Sequence, residues 1–189
     1  MSRRSLDLVL SISALVVAVV LAIAGVLLTW GGSYANNTVT EQLSQQKISF
    51  PADAAQLPDS LKSYAGQNVT TGSQAKAYSD LIAVHLTEVA DGKTYSEVSG
   101  AWIASNADPT KRDPALGAQR QTLFMGETLR GMLLNAYAFS VFGTIAIIAA
   151  WVSFIAAALL FVLGILGIVH GRRTPVETTV FAPPVPVAV

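Results

Sequence analysis

Apolar residues are not spread evenly along this chain; they gather in two blocks. The first runs from Leu8 to Trp30, at the start of a charge-free stretch that ends at Thr40. At about 1.5 Å rise per residue, a helix over that block is roughly 34 Å long, enough to cross a hydrocarbon core about 30 Å thick. The second block runs from Gly131 to Val169, also without a charge. As a helix it would be about 58 Å long, nearly twice what a bilayer needs. Aromatic residues favour membrane interfaces, so Trp30 and Tyr34 mark the outer end of the first span. Counting back about 20 residues from His170 reaches Trp151. The pattern predicts membrane spans over 8–30 and 151–170, with 132–150 as an apolar outer extension of the last helix. A helix apolar on most faces must be covered, here by the external loop or by another protein. Two short spans joined at Gly143 are the alternative, and they would put Arg172 and Arg173 outside, against the positive-inside rule.

Each block carries a face of small residues. In the first it is Ser11, Ala14, Ala18, Ala22, Gly25 and Thr29. In the second it is Ala146, Ala149, Ser153, Ala156, Gly164 and Gly167, interrupted by Leu160. Small faces let membrane helices approach closely where no hydrophobic force drives them together. Ala14, Ala18, Ala22 and Gly25 are therefore expected to pack against Ala149, Ser153 and Ala156. An alanine-rich composition would also yield such stripes by chance.

The residues between the blocks, 31–131, read as a mainly helical external domain. Thr38 to Gln46 can extend the first helix. Lys47-Ile48-Ser49-Phe50-Pro51 alternates and predicts a short extended piece, with irregular chain to Thr71. From Ser73 to Ala90, Ala75, Tyr78, Ile82, His85 and Val89 recur at helical spacing and predict one buried face. Asp91-Gly92 stops that helix. Thr94-Tyr95-Ser96-Glu97 fits a capping box that opens a short helix to about Ser105. Asp113-Pro114 supplies an N-cap and a first-turn proline, and the helix that starts there can run unbroken into the second span.

Charge fixes the expected orientation. Residues 1–7 contain Arg3 and Arg4, and 171–189 begin with Arg172 and Arg173, whereas the loop from Gly32 to Arg130 carries 8 basic and 10 acidic residues. Both termini are thus expected in the cytoplasm and the loop outside the plasma (inner) membrane. A cleaved signal peptide is the competing reading of the N-terminal block, but its apolar run is longer than the usual 7–15 residues or so. The chain has 189 residues, 12 basic and 12 acidic, with 52% hydrophobic and 13% charged. Soluble domains are about 25% charged, and the balanced charge offers no basic field to nucleic acid. The fold class expected is an all-α membrane protein: two transmembrane helices, a mainly helical external loop domain and a long final helix.

Candidate chemistry is sparse. There is no cysteine, which removes disulfides, thiolate metal sites and cysteine nucleophiles. The loop holds one histidine, His85, one helical turn from Glu88. Metal sites usually want three or more ligands, so a packed, hydrogen-bonded histidine is the expectation. No phosphate loop, dinucleotide motif or nucleophile constellation is visible. No catalytic, cofactor-binding or metal-ligating residue is therefore nominated; no cofactor and no enzymatic activity are expected. The tail from Thr174, with Pro175, Pro183, Pro184 and Pro186, is expected to be extended, and Phe181 is its candidate docking residue. Phe139, Phe142 and Ile145, on the apolar outer extension, are the other candidates for a partner interface.

The stretch from Ile48 to Gly143 resembles a family of small two-span membrane proteins from actinobacteria. The features that carry the resemblance are Lys47-Ile48-Ser49, the Ala77-Tyr78 helix with His85, Gly92-Lys93-Thr94-Tyr95, and Gln121-Thr122-Leu123. The segment from Ala101 to Pro114 is longer here than the family pattern. That family often carries the label of aromatic ring-opening dioxygenase, which one loop histidine does not support. Some actinobacterial two-span proteins of this size accompany the respiratory cytochrome bc–cytochrome oxidase supercomplex. The resemblance therefore implies a non-catalytic accessory subunit in contact with other membrane subunits and the lipid bilayer. A stand-alone envelope scaffold or binding protein, acting through the external domain, is the alternative.

Overall fold

A computed structural model describes residues 3–173. The described chain is helical: α1 (Arg3–Gln46), α2 (Gly72–Val89), α3 (Tyr95–Ala104) and α4 (Pro114–Arg173), with three short 3-10 turns and one isolated antiparallel bridge between Ser49 and Asn68. α1 and α4 are both long and apolar enough to cross a membrane. Contacts divide the chain into two compact units, one holding α1 up to Gly32 with α4 from Ile145, the other Ser33–Thr144.

In the first unit the buried positions are Ser11, Ala18, Gly25 and Gly32 on α1, and Ala150, Ala157, Gly164 and Gly171 on α4. Every one is small, and on each helix they recur every seventh residue. A strict seven-residue repeat underwinds a helix pair into a left-handed supercoil. The pair is antiparallel: Phe154 packs on Gly25, Leu15 on Gly164, Ser11 on Gly167 and Asp7 beside Gly171. Ser11 Oγ donates to the Asp7 carbonyl at 2.6 Å, and Thr29 Oγ1 to the Gly25 carbonyl at 2.8 Å, so neither hydroxyl is left unpaired at the seam. Large apolar side chains, among them Leu8, Ile12, Val16, Val20, Leu159 and Val162, point outward. That is the reverse of a soluble helix pair and the distribution expected of helices facing lipid.

The sequence-nominated positions distribute unevenly about this seam. Ala18 and Gly25 are buried, and Ala14 and Ala22 are half-buried. Ala149, Ser153 and Ala156 are also half-buried, and the seam passes through their neighbours Ala150 and Ala157. Adjacent alanines make the composition blind to the difference. Seating the Phe154 ring on Gly25 selects Ala150 and Ala157.

In the second unit α1 ends its last turns on Val39 and Leu43, which join Phe50, Leu57, Leu61, Val69, Leu81 and Leu133 in one core. The extended piece after α1 alternates as expected, with Ile48 and Phe50 turned in and Lys47 and Ser49 out. Phe50 N–H donates to the Gln67 carbonyl at 2.9 Å and Val69 N–H to the Ile48 carbonyl at 2.8 Å. The Phe50 ring stacks on Tyr64 at 5.1 Å and meets Tyr78 edge-on at 5.2 Å. Residues 54–56 and 59–64, expected to be irregular, form 3-10 turns, the first capped by Asp53. A smaller cluster of Leu86, Ala90, Val98 and Leu123 ties α2, α3 and α4 together.

α2 differs from the sequence expectation in two respects. It begins one residue earlier, at Gly72, behind a capping box in which Thr71 and Gln74 reciprocate. It also buries the expected face only in part: Ala75 is buried and Tyr78 and Ile82 pack against the core. Gly72, Ala75, Ala77, Ser79, Leu81, Leu86 and Ala90 are turned in, whereas His85 and Val89 are exposed. Where α4 comes close a glycine stands on one side of each contact: Gly72 abuts Ser140, and Leu86 lies on Gly126. His85 is therefore a surface residue and not a packed core histidine.

Candidate functional site: the outer face of the last helix

Gly143 is packed under the Asn36 side chain, and Leu133 and Ala136 join the core that holds Val39 and Leu43. This side of the apolar extension is thus covered by the chain's own residues. The opposite side is open. Met132, Phe139 and Phe142 are 64%, 60% and 66% exposed. Exposed Met125, Met132 and Phe139 recur every seventh residue, each followed three residues later by exposed Thr128, Asn135 or Phe142. The facing stretch of α1 does not share this character: from Asn37 to its end its exposed residues are Asn37, Thr40, Glu41, Gln42, Ser44, Gln45 and Gln46, all polar. Within one unit, then, α1 presents a polar outer surface and α4 an apolar one.

Beside the open face, between α1, α2 and α4, lies a groove of about 560 Å³ lined by Ile48, Tyr78, Ile82, Leu129, Met132 and Leu133. Its walls are mainly apolar, with Gln42 and Gln46 at the rim. Met132 opens the apolar extension expected from the sequence and shares its seven-residue spacing with Met125 and Phe139, whereas Leu129 lies one turn before it and is not singled out by the sequence. Of the nominated interface residues, Phe139 and Phe142 share this surface. Ile145 is also exposed but belongs to the other unit. Phe181 lies outside the described residues.

A second groove, about 620 Å³, is lined by Thr87, Lys93, Tyr95, Leu123, Glu127 and Arg130. Its charges are partly internal: Arg130 holds Glu127 through two hydrogen bonds of 2.8 and 2.9 Å. Farther along, Trp102 is held between Arg112 at 4.7 Å and Arg120 at 4.6 Å, and Arg120 also lies 5.8 Å from the Tyr95 ring. Arg112 Nε donates to the Asn106 carbonyl and Arg120 Nε to Ser99 Oγ. These contacts staple the loop after α3 onto α4.

Two local caps and one surface pair shift the titration of the groups they hold. Glu97 is held below the usual carboxylate range by the Thr94 backbone N–H and hydroxyl, at 2.7 and 2.8 Å. Asp108 is lowered by the Thr110 hydroxyl and N–H. Lys76 is raised by its hydrogen bond to Asp80. Among the described residues no three His, Asp or Glu side chains come together as metal ligands. What this surface offers is apolar area and shape. Comparison with family models, with curated proteins and with solved structures returned no match for this chain.

Proposed function

We propose that this protein is a non-catalytic accessory subunit of a large membrane complex, docked through the outer face of α4. The observation that carries the reading is the asymmetry between Phe139 and Phe142 on α4 and Asn37, Thr40 and Glu41 on α1. Lipid around both helices would favour apolar residues on both. One apolar and one polar surface suit a helix pair that meets another protein on one side and water on the other. The mixture of Met and Phe with Thr128 and Asn135 is that of a helix-docking seam, where large apolar side chains supply area and polar residues set register. In this reading α1 and α4 span the plasma (inner) membrane, both termini are cytoplasmic, and residues 31–131 form the external domain. The resemblance to actinobacterial two-span proteins makes the cytochrome bc–cytochrome oxidase supercomplex the first assembly to test.

The experiment is purification of the tagged full chain in mild detergent with mass spectrometry of what accompanies it. Wild type is expected to bring other membrane subunits with it. Phe142→Asp should release them while the protein stays inserted, because an unpaired charge buried against a partner costs several kcal/mol. A wild-type chain that migrates alone, or a Phe142→Asp variant that keeps the same partners at full yield, overturns the reading. The first outcome would favour a stand-alone envelope scaffold, a reading supported by the cover that the chain itself gives Leu133 and Gly143.

A further inference from the structure

At the Arg4 end of the first unit, two grooves flank the α1–α4 seam and differ in charge. One, of about 440 Å³, is lined by Asp7, Ser11, His170 and apolar residues including Leu160 and Leu163. The other, of about 120 Å³, is lined by Arg4, Leu8, Gly167, Ile168, Gly171 and Arg172. Its two guanidinium groups come from different helices. Gly167 and Gly171 leave its floor without side chains, and Leu8 and Ile168 give it apolar walls. Arg4 and Arg172 are both exposed, and no carboxylate among the described residues pairs with either. The nearby carboxylate, Asp7, lines the other groove, which shares Gly167 with this one, and its β-carbon packs beside Gly171 at the common wall.

We propose that the groove between Arg4 and Arg172 binds the phosphodiester headgroup of an anionic phospholipid. The inference rests on the reading of α1 and α4 as membrane spans. Guanidinium forks suit phosphate oxygens, which they meet with paired N–H donors. A groove with cations at its mouth and aliphatic walls fits a molecule whose charged head continues into an acyl chain. Basic pockets between membrane helices are a general route to anionic lipid recognition. The small volume suits one phosphate group and not a peptide.

The test uses the full chain, extracted in mild detergent, stripped of lipid and examined by native mass spectrometry. Resistance of the membrane-bound protein to alkaline extraction first checks insertion. If that fails, the membrane reading falls; if it holds, the lipid result bears on the groove alone. Phosphatidylglycerol and phosphatidylethanolamine of equal chain length are then titrated separately. Phosphatidylglycerol should be retained roughly tenfold or more over phosphatidylethanolamine, the scale expected for two arginines at an anionic headgroup. Arg4→Gln with Arg172→Gln should erase the preference, Arg4→Lys with Arg172→Lys should keep part of it, and Arg3→Gln with Arg173→Gln should leave it, since the same charge is removed elsewhere. Equal retention of the two lipids by wild type, or an unchanged preference in the Arg4/Arg172 double variant, overturns the site. Loss of preference in the Arg3/Arg173 variant reduces it to net charge and overturns it as well. Displacement of phosphatidylglycerol by millimolar inorganic phosphate would assign the groove to a free anion and overturn the lipid.

Discussion

The ring of Phe154 covers the α-carbon of Gly25. A β-carbon placed on Gly25 would fall 2.7 Å from Phe154 Cε1 and 2.9 Å from its Cδ1 and Cζ. Gly25→Leu should therefore force the helices apart or the ring out of its rotamer, at a cost on the order of 1–3 kcal/mol. Phe154→Ala in the same chain should return part of that loss by opening room for the leucine. Reversible unfolding in detergent measures all four members of the cycle. Additive losses would mean that the two residues do not pack on one another.

The two capping boxes provide a matched pair for a pH experiment. α2 is capped by Thr71 with Gln74, which does not titrate, and α3 by Thr94 with Glu97, which does. Glu97 has its folded pKa lowered by Thr94. A depressed carboxylate contributes stability above its unfolded value and loses it as pH falls through the folded one. Acidification below the ordinary glutamate range should thus loosen the first turn of α3 and leave the start of α2 unchanged. Amide hydrogen exchange at Glu97 and Val98, compared with Gln74 and Ala75, reads both. Glu97→Gln should remove the pH dependence at α3, since the amide oxygen still accepts from Thr94.

Why some of this was legible in sequence and some was not follows from the range of each interaction. The charge-free blocks, the Thr94–Glu97 box and the Asp113 cap of α4, which accepts from Ala115 and Leu116, are local patterns and can be read off neighbouring residues. The Thr71–Gln74 box is equally local but is masked by the Thr70-Thr71-Gly72-Ser73 run, which reads as a turn. His85 misled because its spacing with Ile82 and Tyr78 is helical, while burial at that end of α2 falls on Leu86, which lies on Gly126 of α4. The choice between Ala149 and Ala150, or Ala156 and Ala157, depends on where Phe154 meets Gly25. The Phe50 knot with Tyr64 and Tyr78 likewise joins residues that no short window contains. The open face of α4 was half legible. Phe139 and Phe142 stood out as apolar, but only the structure divides them from Leu133 and Gly143, which the chain itself covers.

Trp102 should behave as the staple of the loop between α3 and α4. Each cation–π contact of this kind is worth about 0.5–1 kcal/mol where partly exposed, and Trp102 makes two, with Arg112 and Arg120. Trp102→Leu keeps an apolar side chain and removes both. Limited trypsin digestion should then cut faster after Lys111 and Arg112, with protection around Leu61 and Leu81 in the other core unchanged. Equal cleavage rates in the two proteins would show that the loop is held by the Asn106 and Ser105 hydrogen bonds to Arg112 and Asp113 instead.

The absence of cysteine makes orientation directly testable, because an introduced thiol has no competitor. Arg3 and Arg4 at one end and Arg172 and Arg173 at the other should hold both ends in the cytoplasm. Ser63, exposed on the unit between the spans, should then lie outside. In intact cells whose outer barrier has been made permeable, Ser63→Cys should react with a membrane-impermeant thiol reagent. Ser2→Cys and Thr178→Cys should react only after the plasma membrane is lysed. Reversing the basic residues at one end alone should frustrate insertion, since each helix then argues for a different orientation. Labelling of Thr178→Cys from outside together with protection of Ser2→Cys would mean an odd number of crossings. The 60-residue α4 would then have to break near Gly143, and the exposed Phe139 and Phe142 would face lipid and not a partner.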